Sequence, residues 1–242
     1  MKDAIIAAGE GSRLAKEGID APKPLVKVGG ERLVDRLIRI FMQCDATEIC
    51  IICNNLTTLV SSHLSQLQKE AGLPLKFVVK TTPSSMHSLY ELSGLLGDEP
   101  FCLTTVDTIF REDDFGAYVA EFKRLLAAGE ADGLMGVTDY IDDEKPLYVG
   151  TDKDLWITGF HDEAPARTTT CGTPQYISGG IYGLTPRSLK TLRACIERGE
   201  SRMRNFQRAL VADGLRLKAW PFTKVLDIDH ASDIQKAEQF LR

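Results

Sequence analysis

Apolar residues fall along this chain in short blocks, and the spacing inside each block predicts its structure. Residues 4–8 form a continuous apolar run, the pattern of a strand buried on both faces. Residues 31–43 alternate apolar and charged positions at helical spacing, with Leu33, Leu37, Ile40 and Phe41 on one face. Residues 47–53 read as the next strand, and 56–70 as a helix stopped by Ala71-Gly72-Leu73-Pro74. A third strand is expected at 75–79. A helix capped by Ser84 or Ser85 should then reach Leu96, and a fourth strand, 101–106, ends at Asp107. A helix over 113–128 and a strand over 133–138 follow. This alternation predicts an α/β fold of Rossmann-like type, a mainly parallel sheet sandwiched by helices.

Beyond Asp139 the pattern changes. Short strands at 147–150, 155–160 and 175–183 lie among Asp-, Thr- and Gly-rich loops, as in a small mixed or antiparallel insertion over a ligand site. Helices at 186–197 and 201–212, strands at 215–220 and 224–228, and a closing helix to Leu241 complete the reading. Ser232 and Gln235 have capping-box spacing for that last helix.

Composition narrows the function classes. With 34 acidic and 29 basic residues the 242-residue chain carries a formal charge of -5, which argues against nucleic acid as a partner. No run approaches the roughly 18 apolar residues of a membrane span, and the start at Met1-Lys2-Asp3 does not resemble a signal peptide. Six cysteines (44, 50, 53, 102, 171 and 195) sit mostly in apolar patterns. Cys50 and Cys53 have redox or zinc spacing, but no second pair or suitably placed histidine supports a metal. A cytoplasmic protein with reduced thiols and no membrane partner is expected.

The candidate chemistry begins where the first strand ends. Residues 4–8 run into a turn with Gly9, Gly11 and Arg13, and Pro22-Lys23-Pro24 follows before the apolar 25–28. A strand emptying into a glycine turn exposes backbone N–H groups to phosphate. Taken alone, the same residues also suit a plain turn with two solvent-facing cations. A dinucleotide fingerprint is excluded because Leu14 stands where its third glycine would be, and no Walker-type Gly-Lys-Ser/Thr is present. Asp107 closes the fourth strand, and strand carboxyl ends are where open α/β sheets bind ligands. An aspartate capping its own turn is the structural alternative. Strand alternation sends Asp227 and Asp229 to one side of the chain.

The compound of apolar strand, Gly9-x-Gly11-x-Arg13, variable loop, Pro22-Lys23-Pro24 and short strand resembles the signature of nucleotidyltransferases that activate sugar phosphates and related alcohol phosphates. The resemblance implies Mg²⁺ held by Asp107 with Asp227 or Asp229. It places an NTP on Ala8, Gly9, Gly11, Ser12 and Arg13, with the base near Ser84, Ser85, His87 and Ser88. Arg13 and Lys23 would be catalytic. It also implies three regions in one domain: a nucleotide part at 1–138, an acceptor-side insertion at 139–185, and C-terminal helices with a metal-binding strand end at 186–242. Ser178, Gly179 and Gly180 resemble the strand that lines the acceptor pocket. Sugar enzymes of this group often have Glu-Lys-Pro before that strand, whereas this chain has Glu163-Ala164-Pro165. Lys224 first and Arg167 second are therefore expected to hold the acceptor phosphate. The implied reaction joins an NTP and a sugar phosphate into an NDP-sugar and pyrophosphate. A cytidylyltransferase for a small alcohol phosphate such as phosphocholine is the alternative. A regulatory protein that only binds nucleotide sugars is a third, disfavoured by the retained Lys23 and carboxylates. A homo-oligomer is left open.

Overall fold

The structure is a computed structural model and describes residues 1–142, 145–164 and 175–242. Its first half opens with β1 (Lys2–Ala7), the short α1 (Ser12–Lys16) and a 3₁₀ turn at Lys23–Leu25. A ribbon of β2 (Lys27–Val28) and β3 (Glu31–Arg32) leads into α2 (Leu33–Gln43) and β4 (Glu48–Cys53). Next come α3 (Leu59–Glu70), β5 (Leu75–Val79), α4 (Ser85–Leu96) and β6 (Phe101–Thr105). The two-residue β7 (Thr108–Ile109) precedes α5 (Glu112–Ala128) and β8 (Gly133–Thr138). The rest comprises β9 (Tyr148–Thr151), β10 (Ile157–His161), β11 (Tyr176–Leu184), α6 (Arg187–Glu197) and α7 (Met203–Ala212). It closes with β12 (Leu217–Pro221), β13 (Leu226–Asp227) and α8 (Ala231–Leu241).

β5, β4, β1 and β6 lie side by side and parallel. β11 joins β6 antiparallel and carries β8 on its opposite edge, with β12 parallel to β8 beyond it. The antiparallel pair β9–β10 extends from the first residues of β11. The fold is thus α/β and Rossmann-like, with a parallel core and a small antiparallel insertion. Alternate residues of β1 feed two cores. Ile5 and Ala7 pack with Leu37 and Phe41 of α2 and Phe115 and Phe122 of α5. Ala4 and Ile6 pack with Leu89 and Leu92 of α4 and Phe206 and Leu210 of α7. A strand covered on both faces needs no polar side, which is why residues 4–8 read as one unbroken run.

The same alternation separates the two close cysteines. Cys50 faces one core and Cys53 the other, so their spacing is that of a doubly buried strand and not of a redox pair. Cys44, Cys50, Cys53, Cys102 and Cys195 are free thiols, and burial pushes Cys50 up to about 12. Cys171 lies outside the described residues. No helix among the described residues is long and apolar enough to cross a membrane.

Two element starts differ from the periodicity. The helix expected from residue 31 begins at Leu33, because Glu31 and Arg32 pair with Val28 and Lys27 in the small ribbon. α8 begins before Ser232, so Ser232 and Gln235 do not cap it. Asp233 does: its Oδ2 accepts the backbone N–H of His230 at 2.8 Å and of Asp229 at 3.2 Å.

One buried acid runs against the pattern of the core. Asp3 in β1 is 2% exposed, and its Oδ1 has no hydrogen-bond partner among the described residues. Burial pushes its carboxyl up to about 8, against the pull of the N-terminal ammonium and Lys123. From an ordinary value of 3.8 up to about 8, the folded chain keeps a proton that the unfolded chain releases. Stability should therefore fall as pH rises through that window, by up to about 1.4 kcal/mol per unit, and level off above it. Asp3→Asn should abolish the slope. Urea midpoints measured from pH 5 to 8 should draw the variant progressively above the wild type, whereas parallel curves would mean that Asp3 does not hold its proton.

Candidate active site

The chain runs from β1 out to β4 and β5, then returns to β6 on the other side of β1. That reversal leaves a crevice at the carboxyl end of β1. There the backbone turns through Gly9, Glu10 and Gly11 into α1. Gly11 has φ +65°, and a Cβ on it would lie 3.1 Å from Cβ of Lys23. Glycine is needed here twice, for left-handed backbone and to let the Pro22-Lys23-Pro24 segment close onto the turn. Asn54, just past β4, donates through Nδ2 to the carbonyls of Gly9 at 3.1 Å and Ala8 at 3.3 Å. Sequence reasoning missed Asn54; its only signal was a polar residue at the end of a buried strand.

Beside this turn is a cavity of about 400 Å³, lined by Ala8, Gly9, Gly11, Lys23, Asp107 and Asp227, and by Ser84, Ser85 and Ser88 on the far wall. Ser84 caps α4, its Oγ accepting the His87 backbone N–H at 3.4 Å and lying 2.9 Å from the His87 ring Nδ1. Ser88 Oγ lies 2.6 Å from the hydroxyl of Thr82. The His87 ring is therefore engaged by the cap and is not on the described wall, and Ser12 is exposed at the start of α1.

A charge cluster closes the inner end of the cavity. Lys23 is 9% exposed, and its ammonium donates to Oδ2 of Asp107 and, at 2.8 Å, to Oδ1 of Asp229. Arg13 Nη1 lies 3.1 Å from the other oxygen of Asp229. Backbone pairing brings these distant residues together. β13 lies antiparallel to β7 with Asp227 opposite Thr108, and the Ile228 N–H donates to the Asp107 carbonyl at 3.1 Å. Burial by itself would lower the Lys23 ammonium, but Asp107 and Asp229 outweigh it and hold it above its ordinary value. Burial likewise opposes the Asp229 carboxylate, yet Lys23, then Arg13 and His230, keep it below its ordinary value. Next to it, His230 is raised by its hydrogen bond to Glu17, whose two oxygens take His230 Nδ1 at 2.6 Å and the Ala231 N–H at 2.7 Å.

Asp227 lines this cavity and also a second one of about 490 Å³, so the two spaces meet at the cluster. Asp229 faces the second cavity. Thr138, Tyr140, Ser178, Gly179, Ser232 and Lys236 form much of its wall. The register of β11 on β8 jumps between Ser178 and Ile181, which leaves Gly179 and Gly180 as a bulge with Gly180 at φ +70°. A Cβ on Gly179 would lie 3.2 Å from the Gly136 carbonyl oxygen and 3.3 Å from Val225. The paired glycines thus let the strand buckle onto its neighbours. A bulky residue at Gly179 would press on the segment leading to Asp227 as well as on the cavity. Ser178 Oγ is turned to Gln207 Oε1 at 2.9 Å.

The expected acceptor cations are placed differently. Lys224 is not on the described wall; its ammonium sits 3.9 Å from the centroid of Tyr140 and 5.5 Å from that of Phe240. Arg167 lies outside the described residues. Arg13, Lys145 and Lys236 are the lysines and arginines that do line the cavity. Lys145 and Lys236 were missed, as were Tyr140 and Asp142. Asp233 and Lys236, three residues apart on a polar helix start, were the available signal. Among the described residues no three His, Cys, Asp or Glu side chains form a metal-binding group. Asp107 and Asp229 nevertheless converge on one cationic atom, the Lys23 ammonium.

A family model for nucleotidyl transferases matches residues 2–242. The chain belongs to this family. It is 26% identical over 153 residues to a mannose-1-phosphate guanyltransferase of Gibberella zeae, a match spanning 62% of the chain and 40% of that relative. The match therefore spans well under half the length of that curated relative. Among solved structures, one from Bacillus anthracis described as a glucose-1-phosphate thymidylyltransferase has the same fold. Its TM-score is 0.80 at 21% identity, covering 100% of this chain and 95% of that one. A CTP:phosphocholine cytidylyltransferase from Streptococcus pneumoniae has a TM-score of 0.72 at 18% identity, covering 100% and 99%.

The double demand on Gly11 gives a direct test. Gly11→Ala forces a side chain into left-handed backbone and against Lys23, and should cost about 1–2 kcal/mol of stability. A lower urea midpoint at unchanged m is the expected reading. A midpoint equal to wild type would show that the turn relaxes freely.

Proposed function

We propose that this nucleotidyl transferase moves a nucleotidyl group from an NTP to a phosphorylated small-molecule acceptor, with release of pyrophosphate. The observation that carries the reading is the meeting of two cavities at the Lys23, Asp107, Asp227 and Asp229 cluster. One cavity begins at the glycine turn and suits a nucleotide, and the other suits its reaction partner. An oxygen of the acceptor phosphate attacks the α-phosphorus, and the bond from that phosphorus to the bridging oxygen of the leaving pyrophosphate breaks. The acceptor phosphate has a second pKa near 6 and is mostly dianionic at neutral pH, so no general base is required. Catalysis then consists of positioning and charge neutralisation. The N–H groups of the Gly9–Gly11 turn and the Arg13 guanidinium hold the outer phosphates. Lys23 exchanges a carboxylate for phosphate oxygen as the nucleotide enters and offsets the charge that develops at the α-phosphate.

Mg²⁺ fits the donor set. Asp107 with Asp229 or Asp227 offers oxygen ligands, and this ion is commonly held by one or two carboxylates with substrate phosphates completing its shell. When bound, it would neutralise charge on the phosphate oxygens. For the acceptor, a sugar phosphate is favoured. The guanyltransferase and thymidylyltransferase above are named for mannose 1-phosphate and glucose 1-phosphate, and the second cavity is lined largely by polar groups. Phosphocholine is the second reading, supported by the named cytidylyltransferase and by Ala164 standing in place of a lysine.

Pyrophosphate release measured for four NTPs against a panel of sugar and alcohol phosphates tests the reading, and a chelator should abolish it. Full turnover in excess chelator would overturn the carboxylate assignment. Lys23→Met should lower kcat by about 10²-fold or more. It should also remove the cation that competes for Asp107 and Asp229. Mn²⁺ should then bind the nucleotide-free variant about tenfold more tightly than wild type in paramagnetic titration, because one neighbouring like charge is gone. A kcat within twofold of wild type would leave Lys23 a structural residue.

A further inference from the structure

The acceptor-side cavity has a wall that the chemistry above leaves unused. Tyr140 and Asp142 lie just past β8, and Asp233 and Lys236 lie one turn apart on α8. The Lys236 ammonium is 2.9 Å from Asp142 Oδ2 and 3.2 Å from Asp233 Oδ1. The Tyr140 hydroxyl donates to the same oxygen of Asp142 at 3.4 Å. Asp233 spends its other oxygen on the backbone N–H groups of His230 and Asp229. A row of polar contacts therefore runs from the far side of the cavity to the segment that carries Asp229.

Two features of this wall speak for a hydroxyl-bearing ligand. Lys236 and Asp142 are 45% and 46% exposed, so the ammonium donor and the carboxylate acceptor positions that these contacts leave over face a ligand in the cavity. Vicinal hydroxyls, each a donor and an acceptor, complement such a pair. The aromatic face needed for the other kind of acceptor is already taken. Tyr140 is the one phenyl-type ring on the described wall, and the Lys224 ammonium lies over it. A trimethylammonium group is recognised by free aromatic faces, and here it would meet one filled by the protein's own cation, with Lys145 and Lys236 close by.

We infer that Tyr140, Asp142 and Lys236 read the hydroxyl-bearing half of the acceptor and set its specificity against a trimethylammonium one. The inference rests on the nucleotidyl-transfer reading for its orientation, because Asp227 marks the end of the cavity where the acceptor phosphate meets the nucleotide. Lys236 sets acceptor specificity and, through Asp233, positions the Asp229 segment. A correct acceptor thus fastens α8 beside the charge cluster.

The test combines calorimetric binding of acceptors to the whole protein with steady-state pyrophosphate release, using hexose 1-phosphates, an open-chain polyol phosphate and phosphocholine. At least one polyol phosphate should bind and turn over, with phosphocholine about 10²-fold lower in kcat/KM. Lys236→Met and Asp142→Asn should each raise the acceptor KM about tenfold while the NTP KM stays within twofold, as expected for losing one charged hydrogen bond. Lys236→Arg should recover part of the loss, which mere damage to α8 would not allow. Preference for phosphocholine, no binding of any polyol phosphate, or unchanged acceptor KM in both variants overturns the inference. Polyol-phosphate binding that is lost in Lys236→Met, in a protein that releases no pyrophosphate, would uphold the wall and sink the transfer reading instead.

Discussion

A lysine ammonium nine-tenths buried between two aspartates is the constraint around which this molecule is arranged. Lys23 could not stay charged at that depth alone, because burial opposes its charged form. Asp107 and Asp229 keep it charged, and each needs its own piece of architecture. Asp107 is held at the end of a fully covered strand. Asp229 arrives from the other end of the chain just past a two-residue strand paired to the stretch after Asp107, and Asp233 fixes its backbone. Lys23 itself can approach only because Gly11 has no side chain. Removing one carboxylate would leave a buried charge half-compensated, which is why a charge cluster of this kind is also a point of structural cooperation.

The sheet explains how the two halves of the cluster meet. Four parallel strands, of which β1, β4 and β6 are buried on both faces, form the platform, and the reversal of chain direction around β1 opens the crevice. Against that platform stands the antiparallel part, with β11 as its hinge of connectivity. It pairs with β6, β8 and β9, and its glycine bulge lets it lean toward Thr108 and Val225. The bulge thus couples the acceptor side to the strand end that carries Asp227. Function and packing share these backbone positions, so substitutions there act on both.

The sequence was informative wherever local physics decides. Unbroken apolar runs are what doubly covered strands require, and the centres of β1 and β4 were legible from them. The glycine turn, Lys23 and Asp107 were legible because a strand end, left-handed backbone and a basic residue occur close together along the chain. Element starts were less legible: Glu31 and Arg32 have helical spacing, yet a ribbon partner claims their backbone.

What only the tertiary structure decided are the relations between charges far apart in sequence. Nothing local to Lys224 says that its ammonium will rest on Tyr140 and Phe240 in place of lining the acceptor cavity. Nothing local to Asp142 says that it will meet Lys236. Such pairings depend on how α8 docks against β2 and β13, and docking is set by the summed burial of many apolar side chains and not by the charged residues themselves. The sequence alone therefore determined the family, the sheet and the glycine turn, whose causes lie within a few consecutive residues. The choice of cation at each cavity wall had to wait for the fold, because a long flexible side chain takes its partner from whatever the packed core brings within reach.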